Sequence, residues 1–194
     1  VVFLAGTLAC QYLLNAVGEQ RITERARRMM RPLSLLFLAA FLSFLGALLV
    51  STGWSYDASG VVAAEPYKYL HNLLQMPLVS VVMLIGVVLV LASILLGWRG
   101  SRKAIWLGGS GTVLTVLALL LCAGWNNTAY YPSLVDMQSS LTIANSSSSE
   151  FTLRVMAYVS LLIPFVLAYI WYAWRSLNRR PVTSEELRDE EHSY

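Results

Sequence analysis

Four blocks of this chain, roughly residues 33–53, 73–98, 104–125 and 155–174, are apolar for about 20 residues each, the length a helix needs to cross the hydrocarbon core of a bilayer. No other feature restricts the fold so strongly. Runs of Leu, Val and Ala this long cannot be barrel strands, which would alternate apolar and polar at every second position. A fifth apolar stretch, 1–17, starts at Val1 with neither a basic flank nor an initiator methionine, so it reads as a span cut into at its start and not as a signal peptide. The expected fold is therefore all-α: a polytopic transmembrane helical bundle of five spans, the first truncated, followed by a tail at 176–194. On this reading the chain is the later part of a longer or a split protein. A composition of 57% hydrophobic and 13% charged residues, with a mean hydropathy of +0.59, excludes an ordinary soluble domain.

Charge supplies the orientation. The segment "GEQRITERARRMMRP" carries Arg21, Arg25, Arg27, Arg28 and Arg31; "WRGSRK" carries Arg99, Arg102 and Lys103; the last span leads into Arg175, Arg179, Arg180 and Arg188. Only Lys68 and Arg154 remain for the connections on the other side. Five crossings with alternating connections satisfy this split throughout, so the arginine segments and the C-terminus are expected in the cytoplasm. The net charge of +3 and the pI of 9.0 thus record topology and give no indication of a nucleic-acid partner. Trp54, Trp98, Trp125 and Trp174 fall at span ends, with Trp106 just inside one, as interfacial anchors do.

Side chains that could carry chemistry are scarce. The eleven acids, Glu19, Glu24, Asp57, Glu65, Asp136, Glu150, Glu185, Glu186, Asp189, Glu190 and Glu191, all fall in loops, at span edges or in the tail. A proton-coupled transporter working within these spans would be expected to bury at least one carboxylate or histidine. His71 stands near the outer mouth of a span and His192 in the tail, so no histidine is placed as a haem ligand inside the bundle. Met83 and Met156 are read as core fillers, and Cys10 and Cys122 as small hydrophobes within spans. Accordingly no catalytic residue and no metal ligand is assigned, and no cofactor contact can be placed.

The remaining features read as packing. Gln11 and Asn15 share one helix face and are expected to hydrogen-bond to a neighbouring helix, a substrate or quinone contact being the alternative. "GGSGT", Gly108 to Thr112, lacks the ending of a phosphate loop; with Thr115 it forms a small-residue face, and Ala39, Ser43 and Ala47 form another. Pro77 suits the first turn of its helix, whereas Pro164, in mid-span, should kink the last one. "NNT" at Asn126 and "NSS" at Asn145 match the glycosylation sequon on the expected outer side. Ser147 and Glu150 have the spacing of a capping box for the last span, and Thr183 or Ser184 could cap a short helix in the tail.

The passage "YYPSLVDMQSSLTIANSSSSEFTLRVMAYVSLLIPFVLAYIWYAWR", Tyr130 to Arg175, resembles the C-terminal part of subunit II of the cytochrome bd family of quinol oxidases. Its hydroxyl-rich "SLTIANSSSSEFTLRVM" leads into a last span with a central proline. "VGE" at Val17 to Glu19 and the tail "VTSEELRDEEHSY" are similar to that family as well, and the resemblance extends over essentially the whole chain. It implies a subunit of a bacterial terminal oxidase in the cytoplasmic membrane, oxidising quinol, reducing dioxygen to water and separating charge. Haem b and haem d are then expected in the partner, subunit I, with a small single-span subunit as a further candidate partner. A structural quinone occurs in some members, though no motif here places one. The acidic "DGFD" and "DGN" motifs of the family's N-terminal helices are missing, so the chain corresponds to the later half of subunit II, and no catalytic residue carries over. The competing readings are half of a secondary transporter, supported by Pro164 and by Gln11 with Asn15, and a non-catalytic membrane scaffold using the sequons.

Overall fold

The computed structural model describes residues 1–177; the acidic tail, His192 and the cap expected at Thr183 or Ser184 lie outside the described residues. Helix α1 (Val2–Ala16) and helix α2 (Gln20–Val50) form a tight hairpin, joined through Val17, Gly18 and Glu19. At 15 residues α1 is about 22 Å long, short of the hydrocarbon core, while the 31 residues of α2 reach about 46 Å.

The arginine-rich segment expected as a loop before residue 33 is helical from Gln20 onward. Its Gln, Arg, Glu, Met and Ala are good helix formers, a property that hydropathy does not report. Ala26 and Met30, four residues apart, are buried against Cys10 and Leu14 of α1, with Leu33 and Trp98 at the edge of the cluster. Pro32 lies inside the helix, where it removes the hydrogen bond to the Arg28 carbonyl.

Helices α3 (Lys68–Gln75) and α4 (Pro77–Trp98) divide the block expected as one span, 73–98. Met76 precedes a proline and is pushed out of the helical region, to φ −114° and ψ 74°, so the crossing helix starts at Pro77, in its expected first-turn position. Helix α5 (Ala104–Gly124) returns antiparallel to α4 through a turn in which Gly100 has φ +79°. This is the most closely packed helix pair. A Cβ on Gly111 would lie 2.8 Å from the Gly86 carbonyl oxygen and from the Val90 amide nitrogen, so the two backbones touch. The small-residue face from Gly108 to Thr115 is therefore a helix contact, as expected from its composition. Ala39, Ser43 and Ala47 are instead exposed and make no helix contact face among the described residues. An apolar cleft of about 350 Å³ opens there, with Phe37, Phe41 and Phe44 of α2 facing Val90 and Thr115.

The end of the bundle opposite the arginines carries a polar cap. Strands β1 (Gly53–Tyr56) and β2 (Val62–Glu65) pair antiparallel, with Gly53 opposite Glu65 and Tyr56 opposite Val62. Asp57 Oδ1 holds their turn by accepting from the Ser59 and Val61 amides at 3.0 and 2.9 Å, and Gly60 adopts φ +83°. Bridges from Ser55 to Thr128 and from Tyr131 to Leu141 tie in the long connection after α5, which includes the single turn α6 (Ile143–Ser146).

The last span is broken. Helix α7 (Glu150–Ser160) ends and α8 (Ile163–Leu177) begins across Leu161 and Leu162, whose amides bond three residues back, to Tyr158 and Val159. Pro164 lies in the first turn of α8, directly after this two-residue turn of three-residue hydrogen bonds, which is where the kink expected from it falls. From Glu150 to Leu177 every residue except Ala173 is exposed.

The capping box expected at Ser147 and Glu150 is not formed. Ser149 caps α7, its hydroxyl accepting from the Thr152 amide at 3.4 Å. The true box belongs to α6: Thr142 Oγ1 accepts from Asn145 N at 3.2 Å while Asn145 Oδ1 accepts from Thr142 N at 2.8 Å. Ser147, bonded to the Ile143 carbonyl, is thereby drawn back to the preceding turn.

Candidate functional site

Polar contacts cluster at three depths, and each joins a different pair of elements. In the lower bundle Gln11 is fully buried among α1, α4 and α5. Its Nε2 donates to Ser93 Oγ at 3.3 Å, and the Ser93 hydroxyl donates to the Val90 carbonyl at 2.7 Å. Among the described residues the Gln11 Oε1 finds no hydrogen-bond donor, and it lies against Gly108, where a Cβ would come within 2.5 Å. Gly108 therefore makes the space in which the carboxamide fits. The expected interhelical bond is present, but Asn15 does not share in it, being half-buried and without a side-chain hydrogen bond among the described residues.

One step toward the arginines, Trp98 Nε1 donates to Ser34 Oγ at 3.1 Å, and Arg27 Nε donates to the Trp98 carbonyl at 2.7 Å. Trp98 is thus a link between α2 and α4. Trp106, Trp125 and Trp174 are more than half exposed, as lipid-facing anchors would be, while Trp54 sits in β1 with its Nε1 buried and unpaired among the described residues.

At the opposite end Asn72 of α3 is fully buried and fully used. Its Nδ2 donates to the Cys122 carbonyl at 2.8 Å and to Thr128 Oγ1 at 2.7 Å, while its Oδ1 accepts from Asn126 Nδ2 at 3.0 Å. Asn126 also donates to Gln75 Oε1, and it and Asn127 have positive φ, which asparagine tolerates. Both sequons are consequently structural: Asn126 Nδ2 is occupied, and Asn145 Nδ2 donates to the Ser140 carbonyl at 2.9 Å. Composition foretold none of this network, although a carboxamide beside a span end is a usable signal.

Beside it, Glu65 accepts from His71 Nδ1 at 3.0 Å and from Lys68 Nζ at 2.9 Å. The hydrogen bond from His71, then that from Lys68, lowers the Glu65 pKa. The Lys68 side chain is almost wholly covered; the His71 side chain is 45% exposed. His71 therefore belongs to a surface ion cluster outside the bundle, which does not suit an axial haem ligand. Among the described residues no group of three or more His, Cys, Asp or Glu is placed to hold a metal ion. No described carboxylate lies in α1, α4, α5 or α8.

Among the described residues four helices are long and apolar enough to cross a membrane, counting α7 and α8 as one, with α1 as a shorter apolar helix. Against known proteins, residues 1–177 match the family described as cytochrome bd terminal oxidase subunit II. Curated relatives are the cytochrome bd-I ubiquinol oxidase subunit 2 proteins of Escherichia coli K12, O6:H1 and O157:H7, each 30% identical over 201 aligned residues. The alignment covers 96% of this chain and 52% of each relative, so the chain spans about half the length of the curated relatives it matches. With its multi-pass helical fold and a family match running through all of the described residues, the chain belongs to the cytochrome bd terminal oxidase subunit II family.

Proposed function

We propose that this chain is the later half of subunit II of a quinol:oxygen oxidoreductase in a bacterial cytoplasmic membrane. It acts there as a helical scaffold without a redox centre of its own. The observation that carries this reading is the family match over 1–177, supported by described helices α1, α4, α5 and α8 that carry neither carboxylate nor histidine. Such helices offer no histidine for haem and no carboxylate for a proton relay, and they form a low-dielectric body against which a haem-bearing partner can be held. Haem b and haem d then reside in subunit I, quinol is oxidised there, and the proton-route acids lie in the other half of subunit II. A structural quinone and a small single-span subunit remain compatible partners. The basic turns between α1 and α2 and between α4 and α5, with Arg175 at the end of α8, support a cytoplasmic position for that end and for the C-terminus.

The transporter reading required a broken helix and a buried polar group. Both exist, but Leu161 and Leu162 at the break are exposed and enclose no site with Gln11. Purification of the tagged chain in mild detergent tests the oxidase reading. The expected result is a co-purifying large membrane subunit with haem absorbance and quinol-dependent oxygen uptake. A chain that purifies without haem or a second subunit would refute it.

A further inference from the structure

At the arginine-rich end, a polar pocket of about 260 Å³ lies between the α1–α2 turn and the α4–α5 turn, lined by Gly18, Thr23, Glu24, Arg27, Gly100 and Arg102 among others. Its charges are arranged unusually. Glu24 precedes Arg27 and Arg28 by three and four residues on α2, the spacing at which helical ion pairs form. Yet neither arginine, nor Arg102, has a described carboxylate within 4.0 Å. Arg27 is drawn away because its Nε donates to the Trp98 carbonyl, and its guanidinium lies under Gly100, whose Cβ would stand 3.5 Å from an Arg27 terminal nitrogen. Gly100, at φ +79°, permits that turn. Glu24 is held the other way, accepting from Gln20 Nε2 at 3.1 Å. Two cations and one anion thus share a pocket without neutralising one another.

The depth of the pocket identifies what can fill it. Trp98 ends α4 and Trp106 begins α5, and such residues sit at the level of the lipid headgroups. The pocket is next to the Trp98 carbonyl, on the polar side of that belt. We propose that it seats the zwitterionic headgroup of an aminophospholipid of the phosphatidylethanolamine type. The phosphate lies between Arg27 and Arg102, and the primary ammonium pairs with Glu24. A guanidinium fixed through one N–H keeps donors for the phosphate oxygens. A choline headgroup has no N–H for Glu24, and a glycerol headgroup brings no cation to it.

The test uses the whole membrane complex containing this chain, washed in mild detergent, exchanged into nanodiscs of phosphatidylcholine doped with phosphatidylethanolamine or phosphatidylglycerol, and assayed for retained lipid by mass spectrometry. Wild type should retain phosphatidylethanolamine above both other lipids. Arg102→Gln should lower retention about fivefold and Arg27→Gln with Arg102→Gln about 25-fold, the scale of one phosphate-facing cation each. Arg102 is exposed at a turn, so its variant tests the site even if loss of Arg27 unsettles the fold. Glu24→Gln separates the headgroups by sign: it should reduce phosphatidylethanolamine retention, whereas increased phosphatidylglycerol retention with wild type already preferring that lipid would overturn the proposal. Displacement of the lipid by millimolar inorganic phosphate would assign the pocket to a free anion and overturn it too. Arg154→Gln, at the other end of the molecule, should change nothing.

Discussion

Gly111→Ala is the smallest perturbation with the largest expected cost. The added methyl would stand 2.8 Å from the Gly86 carbonyl oxygen, the Val90 amide nitrogen and the Leu89 Cβ. Two of these are backbone atoms in the middle of α4 and cannot turn aside. To reach the 3.4 Å of ordinary contact, the helices must part locally by about 0.6 Å, a gap of the size that forfeits roughly a quarter of the dispersion energy of each contact it opens. Overpacking of this kind costs about 1–3 kcal/mol, against which alanine recovers up to about 1 kcal/mol of helix propensity. A net loss of about 1–2 kcal/mol corresponds to a fall of about 2–8 °C in Tm for a chain of this size. Two glycines serve as internal references. At Gly97 the methyl meets Met30 Cε at 2.6 Å, the end of a flexible side chain, so Gly97→Ala should cost clearly less; at Gly109 nothing lies within 4 Å, so Gly109→Ala should be neutral or stabilising. The assay is apparent Tm of the purified complex in one detergent, with membrane yield as a second measure. Equal values for Gly111→Ala and Gly109→Ala would show that α4 and α5 do not meet at their backbones, and the packing argument would fail.

Asn72→Ala should be the most damaging change in the polar cap, about 2–4 kcal/mol, because it removes at once the donor to the Cys122 carbonyl and to Thr128 Oγ1 and the acceptor of Asn126 Nδ2; thermal unfolding no earlier than wild type would count against the network. Ser149→Ala should cost about 1 kcal/mol by removing the cap of α7, and Ser147→Ala a few tenths at most; the reverse order of complex yield would restore the capping box first expected from spacing. For Glu65 the sign follows from its depressed folded pKa: its stabilisation is fully present above the ordinary value of 4.5 and is lost as pH falls below it through the folded value. Glu65→Gln should therefore lower stability at neutral pH, where the carboxylate holds His71 and Lys68, and flatten the acid side of the stability–pH profile so that variant and wild type converge there; an unaltered acid limb would contradict the cluster.

The crossing helices were legible because hydrophobic length is a physical requirement of the bilayer, and α4 and α5 end within a residue or so of the expected limits once Pro77 is recognised as a start. Hydropathy was silent on Gln20 to Pro32, since a charged helix and a charged loop have the same hydropathy; the burial of Ala26 and Met30 on one face distinguishes them. The β-hairpin was legible in principle: "YDASGV" places Asp and Gly where a turn needs an acceptor and a positive φ. Hydropathy and charge do not report it, because a four-residue strand on either side of a polar turn makes neither a long apolar run nor a basic cluster. The serine run shows a different limit. Every serine from Ser146 to Ser149 is a competent cap in sequence, and the one that caps is selected by where the Thr142–Asn145 box ends α6.

The distribution of polar contacts explains the shape of what remains open. The α1–α2 hairpin is fastened to α4 through Gln11 to Ser93, Trp98 to Ser34 and Arg27 to the Trp98 carbonyl, all toward the arginine-rich end. At the other end it is α3 and the post-α5 connection that are fastened together, through Asn72. Between these levels the outer half of α2 has no polar link to α4 or α5 among the described residues, and the cleft lined by Phe37, Phe41 and Phe44 lies there. In a bilayer, apolar surface gains nothing from leaving lipid, so helices stay together through close backbone approach and hydrogen bonds. Gly86 with Gly111 supplies the first; Gln11 with Ser93 supplies the second, in space that Gly108 leaves for the carboxamide. A substitution at Gly108 should consequently loosen α1 from α5 while sparing the α4–α5 contact, and cross-linking of cysteines introduced on those two pairs would separate the effects. Loss of both together would mean that the bundle is held as a single unit and not by separable polar and backbone contacts.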